Sequence, residues 1–373
     1  MIKFCSKCIM PNSRPRIQFN KKQVCNACSN SEKKSKINWQ NRKKEFSFLV
    51  DKIKEFSKKN SLEYDCIVPW SGGKDSSSIA LKLKLDYGLN PLLVTFSPLI
   101  MNVVGQDNRI ELQKIGFDNI FISPNQKVAR LLARRFFIER GNPKVAWDAG
   151  VNSSPMRVAI QYKIPYIFYA EHGESEYGGL VLNEESLKKR DLREVIEHQI
   201  GDYPENWISK EIEKKDLYNY IYPSDKEINQ LGVTAYYYSY FFKWSMLENY
   251  NYVKEKMPSF KENITGRTKG TFTDFDSLDD KIDCLYYYMQ FIKFGFGRAT
   301  RDSCRMIQNN QMTREKAIQL ARRYDNEFPI DNFKEVLDYL SLKDNQFEEI
   351  VDKHRNNEIW KQHKNRWELN FKI

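Results

Sequence analysis

The chain has 373 residues, a formal net charge of +11 and 14% aromatic side chains, enough for a sizeable core in two domains or one large domain with appendages. No apolar run approaches the roughly 18 residues of a membrane span, and the polar start MIKFCSKC does not read as a secretion signal, so a cytoplasmic protein without membrane contact is expected. The basicity is local: residues 1–60 hold 16 basic against 4 acidic side chains and the remainder is close to neutral, so nucleic acid is not expected as a partner.

In chain order, residues 1–38 lack apolar periodicity and carry Cys5, Cys8, Cys25 and Cys28 as C-x2-C, sixteen residues, C-x2-C. That spacing suits a tetrahedral four-thiolate zinc site. Four protein ligands leave no position for water, so the metal is structural and organises a small knuckle. A redox dithiol or an iron–sulfur cluster is the alternative. Residues 39–60 follow as a basic linker helix, with Phe46, Leu49, Val50, Ile53 and Phe56 at helical spacing.

From residue 61 to 182, short apolar strands alternate with helical segments: CIVPW, LLVTF (92–96), NIFI (119–122) and YIFYA (166–170). This predicts an α/β core with a doubly wound parallel sheet, whose ligands bind beyond the carboxyl ends of the strands. Residues 183–373 read as a helical, aromatic-rich, substrate-binding C-terminal region, with three or four helices over 313–367.

The stretch PWSGGKDSSS begins where CIVPW ends and a helix opens. Adjacent glycines at that point leave backbone N–H groups unpaired and aimed one way, and the helix adds partial positive charge, which is a place for phosphate. The first glycine of a G-x-x-x-x-G-K-[ST] loop is missing and no G-x-G-x-x-G is present, so neither γ-phosphoryl transfer nor hydride transfer is favoured.

SGGKDSS on a strand-to-helix turn resembles the PP-loop of the ATP pyrophosphatases. In that resemblance Gly72 and Gly73, with Ser71 and Ser76, cradle the pyrophosphate leaving ATP, Asp75 binds magnesium and Lys74 adds a point charge. Ser77 and Phe96 join them in the nucleotide site. Preorganised donors and a cation are what a departing pyrophosphate needs.

With CSKCIMPNSRPRIQF and CNAC at the N-terminus, and with IPYIFYAEHGESEYGG (164–179), KFGFGRATRDSC (293–304) and MTREKAIQLARRYD (312–325) later, nearly the whole chain resembles the N-acetyl sugar amidotransferases of bacterial surface-glycan synthesis. The resemblance implies conversion of an acetamido group to acetamidino on a sugar such as pseudaminic acid or a related nonulosonic acid, free or nucleotide-linked, through an adenylated imidate and ammonia. It places Glu171, His172, Glu174 and Glu176 at a strand's carboxyl end, with Glu174 and Glu176 the preferred catalytic pair beside Lys74 and Asp75. His172, Lys293 and Arg298 would bind the sugar. Arg301 departs from the family pattern, where an acidic residue often stands.

No cysteine here has the setting of a glutaminase nucleophile, and position 2 is Ile2. The chain is therefore not expected to make ammonia from glutamine, and the resemblance implies a separate glutaminase subunit as the source, with the basic helix and the knuckle as candidate docking surfaces. The rival reading is a PP-loop tRNA thiolation enzyme. Its sulfur chemistry needs reactive cysteines, and after the loop only Cys284 and Cys304 remain, not paired as CxxC.

Overall fold

The computed structural model describes residues 1–179, 183–364 and 366–373; residues 180–182, the end of the expected core segment, lie outside the described residues. Five parallel strands form the central sheet: β1 (Cys66–Pro69), β2 (Pro91–Phe96), β3 (Asn119–Ile122), β4 (Tyr166–Tyr169) and β5 (Thr234–Tyr237), in the order β3-β2-β1-β4-β5. The chain builds outward from β1 to β3, then crosses to the other side of β1 for β4 and β5. The reversal lies between β1 and β4, so the crevice beyond their carboxyl ends is the topological switch point at which such sheets bind ligands.

The strands are covered on both faces because their residues are apolar at successive positions. Cys66, Val68, Leu93 and Phe168 pack with α2 (Trp39–Lys59) and α3 (Lys74–Leu81). Their neighbours Ile67, Leu92, Val94 and Ile167 face Met156, Val158 and Ala159 of α6 (Val145–Tyr162). The basic helix α2 is therefore more than a linker: Phe46, Val50 and Ile53 are buried in the sheet's core while its lysines face outward.

Two parts of the region expected to be helical are strands. Thr234–Tyr237 pairs in register with Tyr166–Tyr169 and completes the sheet; a run of aromatics suits a half-buried pleated surface as well as a helix, and pairing decides. Trp360–His363 and Arg366–Leu369 form an antiparallel hairpin after the helices Arg314–Tyr324, Phe333–Leu340 and Asp344–Lys353.

The knuckle is not a detached appendage. Ile9, Met10, Val24 and its four cysteines are buried in one cluster with Phe296, Cys304, Ala317 and Ala321 from the C-terminal helices. No helix among the described residues is long and apolar enough to cross a membrane.

Candidate functional site

β1 ends at Pro69, and after Trp70 the chain turns through Gly72, at φ +94°, into α3. A Cβ on Gly72 would stand 2.7 Å from the Gly105 carbonyl oxygen, so only glycine fits this turn. The Gly73 N–H donates to the Ser71 hydroxyl at 3.2 Å, and the Ser71 N–H to the Ser76 hydroxyl at 3.4 Å. These short internal bonds stiffen the loop. The first-turn N–H groups of α3 have no acceptor within the helix and point out of its end.

A cavity of about 450 Å³ opens over this loop, lined by Ser71, Lys74, Asp75, Ser76, Phe96 and, from elsewhere, Trp147, Tyr169, Glu171, Arg298 and Arg305. Ser77 is not part of it: its hydroxyl is buried and accepts from the Trp70 indole N–H at 2.9 Å. Lys74 is not a free point charge. Its ammonium, buried, lies 2.5 Å from Asp276 and 3.0 Å from Asp75, and although burial alone would lower its pKa, the two carboxylates raise it. Burial likewise works against ionised Asp276, but Lys74 and Arg298 outweigh it and hold that carboxyl at about 2.

Asp75 is oriented from both sides, by Lys74 and by the Asn249 amide at 3.0 Å. Arg298 lines this loop cavity but spends its guanidinium on Asp302 at 2.7 Å, on Asp276 at 3.4 Å and on the Tyr287 hydroxyl. Arg305 differs. It is 4% exposed and donates to the Tyr177 hydroxyl at 2.6 Å, while its Nη2 has no hydrogen-bond partner among the described residues. An orphaned guanidinium nitrogen in a cavity beside a glycine loop fits a phosphate oxygen. Asp276, Asn249 and Arg305 are the residues that sequence reasoning missed; the acidic run TDFDSLDD (273–280) was the only local signal, and it pointed to no partner.

β4 ends at Tyr169, and Ala170 and Glu171 follow at the crevice. Its carboxylate accepts from the Tyr177 hydroxyl at 3.1 Å and lies 3.8 Å from Arg305. Glu171, Tyr169, Ala170 and Tyr177 form a shared wall with a second cavity of about 670 Å³. That second cavity is basic, carrying Arg14, Arg16, Arg190, Lys293 and Arg301 against Asp148, Glu171 and Glu174.

The structure thus separates two residues expected together: Lys293 lines the basic cavity and Arg298 the loop cavity. His172 lines neither of them. Its Nδ1 accepts from the Ser175 N–H at 3.0 Å, capping the short helix Gly173–Tyr177, and its ring packs edge-on to Tyr237. Glu174 and Glu176 are engaged by the knuckle, Glu174 in a two-point contact with Arg16 and Glu176 with Lys34. Glu176, buried, lines neither cavity.

The four knuckle thiols are buried and their sulfurs all lie within 4.8 Å of one another, with Cys5–Cys28 at 3.9 Å and Cys8–Cys25 at 3.7 Å. Tetrahedral zinc at 2.3 Å from each thiolate places sulfurs about 3.8 Å apart, so this cluster could hold zinc. The Lys7, Met10, Cys25 and Cys28 N–H groups already donate to these sulfurs, the outer-shell support that metal-bound thiolates need.

The protein is an α/β domain whose glycine loop, at the sheet's switch point where such folds bind ligands, opens onto two adjoining cavities. Residues 269–373 match the family described as LPS biosynthesis protein WbpG-like, C-terminal domain. That segment contributes Asp276, Lys293, Arg298, Arg301 and Arg305 to the two cavities or their walls. The similarity is to a glycan-biosynthesis family and points to an enzyme. No curated protein matches the chain.

Proposed function

We propose that the protein is an ATP-dependent amidotransferase of surface-glycan synthesis, converting an acetamido group on a sugar to acetamidino. The observation that carries this reading is the arrangement of two cavities, one over a phosphate-type loop and one basic, that meet at Tyr169, Ala170, Glu171 and Tyr177. An amide oxygen is a poor leaving group and must be activated before a nitrogen nucleophile can displace it. ATP in the loop cavity and sugar in the basic cavity would bring an acetamido oxygen to the α-phosphate at the shared wall.

In this reading the loop N–H groups and Arg305 receive the departing pyrophosphate, where fixed donors lower the barrier most. Asp75, oriented by Asn249 and Lys74, would hold magnesium, which supplies charge neutralisation on the phosphates. Bond making is then balanced: the amide oxygen forms a bond to the α-phosphorus as the bond to the β-phosphate oxygen breaks, and ammonia later displaces AMP from the imidate carbon with loss of a proton. Glu171, at the junction, is placed to take that proton.

The thiolation reading has less support, since no described residue lining either cavity is a cysteine. Cys284 is buried against the Lys281 carbonyl, and Cys304 sits in the knuckle cluster. The WbpG-like segment favours a sugar substrate of lipopolysaccharide or related glycans, pseudaminic acid and its relatives among them. Ammonia would come from a separate glutaminase, docking on the lysine face of α2 or on the knuckle.

The test is mass spectrometry after incubation with ATP, magnesium, ammonium and acetamido sugars, free and nucleotide-linked. The expected product is about one mass unit lighter, oxygen having been replaced by NH, with AMP and pyrophosphate formed in equal amount. Pyrophosphate release that depends on tRNA and not on sugar would overturn the reading.

A further inference from the structure

The basic cavity is lined by two guanidiniums that form no ion pair among the described residues. Arg14 comes from the knuckle and Arg301 from the helix Arg298–Gln308, and both line the cavity. Among the described residues neither is in an ion pair. Arg14 donates to the Gly178 and Pro15 carbonyls, and Arg301 lies over the Tyr177 ring at 4.7 Å. Glu174, the carboxylate that bears on Arg14, is already held by Arg16 at 2.5 and 3.0 Å.

The Arg301 charge bears on Arg14. Burial, and after it the Arg301 charge, brings Arg14 down to about 10. Lys293, on the same cavity, is also lowered, by burial and by Arg140. A partly buried site lined by five cationic side chains against three carboxyl groups is less favourable until an anion enters.

We propose that Arg14 and Arg301 together form the receptor for an acidic group, a carboxylate or a phosphate, carried by the sugar that occupies the basic cavity. This rests on the assignment of that cavity to the sugar. Guanidiniums from two segments far apart in sequence converge on one anion because planar N–H forks match carboxylate and phosphate oxygens. Tyr177 fixes the geometry: its ring carries Arg301 on the basic side while its hydroxyl binds Arg305 and Glu171 on the other. The anion would thereby set how far the sugar's acetamido group reaches toward the loop cavity.

Calorimetry without ATP tests this directly, using N-acetylneuraminic acid for the carboxylate, UDP-N-acetylglucosamine for the phosphate and N-acetylglucosamine as the neutral control. The expectation is that one acidic sugar binds roughly tenfold or more tightly than the neutral one, the scale of a charge-assisted hydrogen-bond pair. Whichever of the two acids it is names the group. Arg301→Gln should remove that preference at unchanged melting temperature, since Arg301 makes no ion pair; Arg14→Lys should weaken it while keeping the knuckle seated.

No preference for either acid, including failure of both to bind, overturns the proposal, as does an Arg301→Gln variant with the wild-type preference. Pyrophosphate release is measured separately with ATP. Its absence alongside an intact, Arg301-dependent acid preference would remove the activation chemistry and leave the receptor standing.

Discussion

At the scale of single residues, Asp75 and Asp148 have opposite surroundings. Asp75 faces the loop cavity with its oxygens held by Lys74 and Asn249, and Asp75→Asn changes its charge and almost nothing of its shape. Pyrophosphate release should fall about a hundredfold, the usual loss when a fixed electrostatic contact to the transition state is removed, with the melting curve unmoved; wild-type turnover would sink Asp75 as the magnesium residue. Asp148 lines the basic cavity and is pushed up to about 7, by burial first, with Asp283 adding to it and Lys144 opposing. A carboxyl protonated in the folded chain and ionised in the unfolded one makes stability fall as pH rises from its ordinary value of 3.8 to about 7. The slope is at most about 1.4 kcal/mol per pH unit. Asp148→Asn should therefore lose less stability than wild type between about pH 4 and pH 7, read from melting temperatures across that range. Parallel curves would show that Asp148 does not titrate there.

Elements carry the next level of argument, and the loop between β1 and α3 is the most constrained of them. Gly72→Ala must place a methyl group 2.7 Å from the Gly105 carbonyl at a φ of +94°. Strain of this kind costs on the order of 1–3 kcal/mol and would displace the donors that face the cavity. The expected outcome is a lowered melting temperature together with loss of ATP binding by equilibrium dialysis; an alanine variant that binds ATP normally would show that the loop geometry is not what holds phosphate. This loop was legible in the sequence because strand, glycines, hydroxyls and helix are contiguous, and so was the four-cysteine cluster, whose chemistry is set by spacing. The roles of Glu174 and Glu176 were not, because their partners Arg16 and Lys34 lie 158 and 142 residues away. The pairing of Lys74 was hidden for the same reason: its neutralising partner, Asp276, is 202 residues on. Thr234–Tyr237 was read with the helical region because an aromatic run declares burial and not period, and only its pairing with β4 makes it a strand.

On the scale of the whole molecule, the knuckle decides whether the two cavities are independent. It supplies Arg14 and Arg16 to the basic cavity and Lys34 to Glu176, while no lining residue of the loop cavity precedes Pro69. The four cysteines are the centre of the cluster that seats the knuckle on Phe296 and Ala317, and in a segment so poor in other core the free energy of metal binding is free energy of folding. If the cluster holds zinc, chelation should therefore loosen residues 1–38 and take Arg14 out of the basic cavity; under the proposed function it would abolish the preference for acidic sugars while ATP still binds over the loop. The measurement pairs metal content with two titrations on the chelator-treated protein, one with ATP and one with the sugar acid, and restores zinc to recover the second. If the metal-free protein keeps its melting temperature and its sugar binding, the cluster does not organise the site. Loss of both titrations together would mean that the knuckle also supports the loop cavity, which it reaches through the segment around Tyr177.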